Sequence, residues 1–163
     1  MATLKKHRTS IDLDAETREQ VINLLNQQLA DTFDLYSQTK QAHWNVKGEQ
    51  FFQLHELFDK LAGSLLGHVD TIAERVTALG GTALGTARMA AAATRLSEYP
   101  ADVASGRDSV KTLAERYSAL AASTRAAIDT AAKLSDLSTS DIFTEVSRDM
   151  DKSLWFLEAH IQG

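Results

Sequence analysis

From Phe52 to Leu79 the chain has no proline, and Leu54, Leu57, Phe58, Leu61, Leu65, Val69, Ile72, Val76 and Leu79 recur at steps of three and four residues. That period places them on one stripe of a helix and predicts an amphipathic helix over the whole stretch. The stretch from His43 to Glu74, which overlaps it, holds three of the five histidines, His43, His55 and His68.

His55 and Asp59 are one helical turn apart, as are Asp70 and Glu74, so each pair can aim two ligand atoms at one point. Eleven residues separate Asp59 from Asp70. At about 100° per residue that returns to within about 20° of the starting direction, yet it spans roughly 16 Å of helix. The pairs share a face but cannot share an ion within one chain. Two copies crossing antiparallel about a two-fold axis near Ser64 would bring His55/Asp59 of one chain to Asp70/Glu74 of the other, making two identical sites. Gly63, Ser64 and Gly67 surround that point. They are poor helix formers but suit a close approach of two helices. His43 precedes His55 across the turn-like NVKGE, where Gly48 can take a positive φ, and can fold back as a further ligand. Two imidazoles and three carboxylates without a thiolate suit Fe(II), Mn(II) or Zn(II).

HELFD also approaches the HExxH zinc-protease pattern with its last histidine replaced by Asp59, but no downstream third ligand accompanies it. No Glu-x-x-His occurs anywhere, which disfavours a di-iron site inside a single bundle.

The remaining segments predict a four-helix bundle. Asp14 is an N-cap candidate for a first helix reaching about Trp44, and Gly80-Gly81 stops the second. A long crossover containing ARMAAAA, read as one short helix, leads past Pro100 to a third helix from about Val103 to Lys133. A fourth begins near Ser138 to Ser140, where Ser138 and Asp141 have capping-box spacing, and runs to His160 with Trp155 in the core. Such a crossover between the second and third helices is what ferritin-like bundles require. Residues 1–13 are expected to be a mobile arm and 14–163 one bundle domain. At 163 residues and 44% hydrophobic content one core is expected.

There is no cysteine, which excludes disulfides, thiolate metal sites and cysteine nucleophiles and fits a reducing cytoplasm. The N-terminal MATLKKHRTS lacks the apolar run of a secretion signal. A net charge of -5 argues against a generally basic nucleic-acid-binding surface, leaving Lys5, Lys6 and Arg8 as a local basic arm.

The run TKQAHWNVKG, then LHELFD, then HVDTIAERVTALGGTALGT resembles the Dps family, the ferritin-like mini-ferritins described as DNA-binding proteins from starved cells. The resemblance extends from about Leu24 to His160. It implies an all-α ferritin-like fold and a hollow homododecamer. It implies ferroxidase centres shared between subunits, in which His43, His55 and Asp59 of one chain and Asp70 and Glu74 of its two-fold mate hold iron. Fe(II) would be oxidised preferentially by hydrogen peroxide, stored as ferric oxide, and DNA thereby protected, with zinc a competing occupant. The resemblance further implies that Trp44 lies near the iron and intercepts radicals. Asp136, Asp141 and Glu145 would line negatively charged pores at three-fold axes, with Asp149 one turn further along. Acids at the start of a helix are also stabilised by its dipole, which accounts for Asp136 and Asp141 without a pore. The competing class is a cytoplasmic, nucleoid-associated DNA-compacting particle gripping phosphate through twelve copies of the arm, its iron chemistry incidental. A helical scaffold without turnover is a third.

Overall fold

The computed structural model describes residues 4–162 and consists of five helices: α1 (Ala15–Asn45), α2 (Phe51–Ala78), α3 (Ala87–Ala93), α4 (Gly106–Lys133) and α5 (Leu137–Ala159). Helices α1, α2, α4 and α5 form the bundle, with α1 packed mainly on α2 and α4 on α5. No strand occurs among the described residues beyond one isolated bridge between Lys47 and Ser105. No described helix is long and apolar enough to cross a membrane.

The α2 periodicity does what its sequence predicts: Leu54, Phe58, Leu61, Leu65, Ile72 and Val76 are buried. They meet Val21, Leu25, Leu29 and Leu35 of α1, Leu113, Tyr117 and Leu120 of α4, and Phe143, Val146, Met150 and Leu157 of α5 in a continuous core. Each fully buried Leu or Phe contributes about 1.5–3 kcal/mol relative to exposure.

Capping residues explain the helix starts. Asp14 accepts from the Glu16 and Thr17 amides. Ser105 accepts from the Asp108 amide, so α4 starts at Gly106 rather than at Val103. Asp136 accepts from the Thr139 amide, so α5 starts at Leu137 and the Ser138/Asp141 capping pair does not form. The reversals fall where glycine permits them, with φ +111° at Gly48 and +85° at Gly80.

The crossover from α2 to α4 is fastened to α1 by polar contacts. Asp31, buried on α1, takes the Arg95 guanidinium at 2.9 and 2.5 Å and the Arg95 amide at 2.8 Å. Residues 4–13, expected as a mobile arm, are non-helical but tied to the bundle: the His7 amide donates to Gly80 O and Thr82 Oγ1 to Lys5 O. Residues 1–3 of that arm lie outside the described residues. Trp155, expected in the core, is instead 62% exposed, because the buried line of α5 runs through Met150, Ser153 and Leu157.

Candidate metal centre

The turn at Gly48 brings the end of α1 back against the start of α2, and the two histidines lock this reversal. His43 Nδ1 donates to His55 O at 2.8 Å, and His55 Nδ1 donates to His43 O at 3.0 Å. Their rings stack with centroids 3.8 Å apart. A backbone carbonyl can only accept, so in the neutral rings Nδ1 carries the hydrogen and Nε2 keeps its lone pair. Both imidazoles are thereby held in the tautomer that can bind a metal through Nε2.

Asp59 Oδ1 is 3.9 Å from His43 Nε2. Two donors on one ion at bond lengths near 2.1 Å lie about 3 Å apart or slightly more, so a small side-chain adjustment brings these onto one centre. A cation already stands there: Lys40 Nζ donates to Asp59 Oδ1 at 2.6 Å and lies 5.7 Å from the centre of the Trp44 ring. This hydrogen bond, with the charge of Lys40 behind it, holds the Asp59 carboxyl below the ordinary range. Trp44, next to His43, is 66% exposed.

Asp70 and Glu74 are exposed further along α2 and make no ion pair among the described residues. Among the described residues no three His, Cys, Asp or Glu side chains of one chain are placed to hold a metal ion. Between the two ligand pairs the helix surface is open. A Cβ added at Gly63 or Gly67 would meet nothing within 4 Å. An open groove of about 510 Å³ lies beside them, lined by Leu29, Leu66, Val69 and Ala73.

The other residues singled out by sequence separate. Asp141 and Glu145 are exposed on α5, whereas Asp136 is buried, a correction to its expected place beside them. Arg75 reaches its two carboxylate oxygens at 2.8 and 3.0 Å, and Thr139 donates to it through both Oγ1 and the amide. Burial works to raise its pKa, but the Thr139 and Arg75 hydrogen bonds outweigh it and hold the carboxyl below the ordinary value. Asp149 does not continue the exposed stripe either. It turns to α2, where His68 Nε2 meets it at 2.9 Å and Ser64 Oγ donates to it. Lys5 and Arg8 are exposed, and Lys6 pairs with Glu19 at 2.9 Å.

Lys40 and Arg75 shape these surroundings without being ligand types themselves. Lys40 lies three residues before His43, on the same helical face, and Arg75 directly follows Glu74. That spacing is the sequence signal for Lys40; for Arg75 only its adjacency to Glu74 hints at a role.

The bundle and its α2-to-α4 crossover define a ferritin-like fold. The ferritin-like domain pattern matches residues 22–163. The chain is 50% identical over 159 residues to the DNA protection during starvation protein of Agrobacterium fabrum, covering 98% of each. It superposes on DpsC from Streptomyces coelicolor with a TM-score of 0.93 at 32% identity, covering 98% of this chain and 93% of that one. A Dps protein from Vibrio cholerae O1, described as a member of a broad superfamily of ferritin-like diiron-carboxylate proteins, gives 0.89 at 26% identity, covering 99% and 100%. The chain belongs to the Dps family of ferritin-like proteins.

Proposed function

We propose that this protein takes up Fe(II), oxidises it at centres shared between two subunits and stores the ferric product inside a homododecameric shell, protecting DNA from iron-driven oxidation. The observation that carries this reading is the reciprocal His43–His55 lock, which leaves the Nε2 of each ring its lone pair, that of His43 3.9 Å from Asp59, while Asp70 and Glu74 stand exposed on the same helix as Asp59. The glycine-lined surface between the two pairs gives a second α2 room to cross.

Iron is the substrate. His43, His55 and Asp59 would hold it from one subunit, and Asp70 and Glu74 hold or bridge it from the other. Lys40 holds Asp59 through Oδ1, the oxygen nearest His43, and so competes with an ion for that oxygen. With hydrogen peroxide as the preferred oxidant, two ferrous ions give one electron each, two protons are taken up and two waters form. No hydroxyl radical is released in that balance. Trp44, exposed beside His43, is placed to intercept radicals that do arise. Zinc competes for the same ligands, being the stronger binder of N and O donors. Asp141 and Glu145 would draw Fe(II) through three-fold pores, with Asp136 bracing the start of their helix. The absence of cysteine supports a cytoplasmic setting.

The test is size-exclusion chromatography after anaerobic Fe(II) loading and titration with peroxide. Ferric iron co-eluting with a dodecamer-sized particle, well beyond the number of sites, is the expected result. Iron precipitated outside a monomer or dimer would overturn it. A second function, DNA compaction, rests on the exposed Lys5 and Arg8. Loss of DNA retention on deleting residues 1–9, with iron oxidation intact, would favour it.

A further inference from the structure

Trp44 offers no ligand atom to a metal, yet a charge is held against its ring. Lys40 lies four residues earlier on α1, so the two side chains leave the same face of the helix. The Lys40 ammonium stands over the indole, 5.7 Å from the ring centre. A free lysine head samples many positions, but this one is fixed: its side chain is 19% exposed, and Nζ donates to Asp59 Oδ1 at 2.6 Å.

Taking an electron from the indole leaves a positive charge on the ring. A cation over the ring face stabilises the neutral ring through its quadrupole and repels the charge that oxidation creates, so both effects make Trp44 harder to oxidise. Across 5.7 Å the repulsion alone changes an equilibrium constant by about threefold in bulk water, and by more where the solvent is partly excluded.

Three carboxylates work in the other direction. Asp59, paired with the ammonium, offsets part of its field. Asp34 and Glu98 line the open groove that Trp44 also borders. Asp34 is engaged by Gln38 and Thr94, and Glu98 is exposed, where solvent and salt screen it. The ammonium is the charge held over the ring face, so its effect outweighs theirs.

We propose that Lys40 is a positioning residue that sets the oxidation threshold of Trp44, so that the indole gives its electron to a hydroxyl radical and resists milder oxidants such as a peroxyl radical. In that step the indole loses one electron and its N–H proton. The hydroxyl radical gains both and becomes water, and a neutral indolyl radical remains. Lys40 thereby keeps Trp44 unspent for the one species that most endangers DNA. Its purpose rests on the radical-intercepting role proposed above for Trp44, while its effect on the ring is measured without iron.

The test uses the full-length assembled protein, freed of metal, with Trp155→Phe, which leaves Trp44 as the one tryptophan because the chain has two. Trichloromethylperoxyl radicals, neutral and so indifferent to the charge of the protein, are made by pulse radiolysis, and the growth of the indolyl-radical absorption is timed. Lys40→Met should speed that growth by about threefold or more at low salt. Lys40→Arg, which keeps the charge, should stay close to the parent. Asp59→Asn keeps an acceptor oxygen for the ammonium but removes the counter-charge, and should slow the growth. Opposite signs in Lys40→Met and Asp59→Asn are what an electrostatic role gives, whereas loosened packing would speed both. Equal rates in Lys40→Met and the parent, a Lys40→Arg protein as fast as Lys40→Met, or acceleration in Asp59→Asn overturns the proposal. A separate run with Fe(II) and excess peroxide, read by mass spectrometry of the peptide carrying Trp44, tests interception itself: an unoxidised Trp44 there would remove that role and leave the measured threshold standing.

Discussion

Lys40 Nζ donates to Asp59 Oδ1 at 2.6 Å, spanning from α1 to α2 at the point where the two histidine rings stack. In the single chain the ammonium supplies the positive charge that a bound ion would otherwise bring. A metal binding Asp59 through Oδ1 competes with it. Replacing Lys40 by Met removes this competitor, and because Asp59 is a solvated group the effect is modest. The expected result is Fe(II) binding about 2- to 5-fold tighter at low salt, in line with exposed ion pairs, with the difference from wild type shrinking as salt rises. Anaerobic calorimetry measures it. Weaker binding in Lys40→Met would show that Lys40 aids the site rather than occupying it.

Gly67 and Gly63 offer a way to separate folding from pairing. A Cβ at either position meets nothing within 4 Å in the protomer, and a better helix former in place of glycine gains up to about 1 kcal/mol of helix propensity. Gly67→Leu should therefore keep the helical circular dichroism of the wild type. It should lose the two-fold pair by sedimentation velocity, and iron oxidation with it. Unchanged assembly and turnover would move the subunit contact away from the centre of α2.

The buried pair between Arg75 and Asp136 ties the residue next to Glu74 to the first turn of α5. Removing one partner leaves a buried charge and, at Asp136, an uncapped helix. Asp136→Ala should cost about 3–5 kcal/mol, seen as a lower midpoint in thermal unfolding at fixed protein concentration. Because the Asp136 carboxyl titrates below its ordinary value when folded, its contribution is present above the unfolded pKa near 4. It is lost as pH falls through the lower folded pKa. Wild type should lose stability over that acidic range, and Asp136→Asn should flatten this part of the profile. An unaltered acid limb in Asp136→Asn would assign the loss to other carboxylates.

Much of this architecture was legible in sequence because it rests on local signals. The α2 stripe, the Asp14 cap, the glycine reversal at Gly48 and the ARMAAAA helix each depend on residues a few positions apart. The start of α4 lies three residues after Val103, because the Ser105/Asp108 cap decides the boundary. At α5 the cap is Asp136, whose role depends on Arg75 from another helix. The apolar character of Trp155 points inward, yet the angular position of the buried line on α5 leaves it out. Lys40 on Asp59 and His68 on Asp149 depend on how helices cross, which no single-helix spacing states. The five proposed ligands divide in the same way: the α1–α2 reversal stacks His43 on His55 and brings His43 to 3.9 Å from Asp59, whereas Asp70 and Glu74 lie further along α2.

The central claim is that one site draws on two copies, and subunit mixing tests it most directly. Asp59→Ala and Glu74→Ala proteins, each expected to be inactive, are dissociated together, reassembled in equal amounts and assayed for Fe(II) oxidation by peroxide. In a mixed two-fold pair one site carries both substitutions and the other carries neither. Random pairing makes half the pairs mixed, so about a quarter of wild-type activity should return. Properly reassembled mixtures that remain as inactive as either parent would contradict a site shared between subunits.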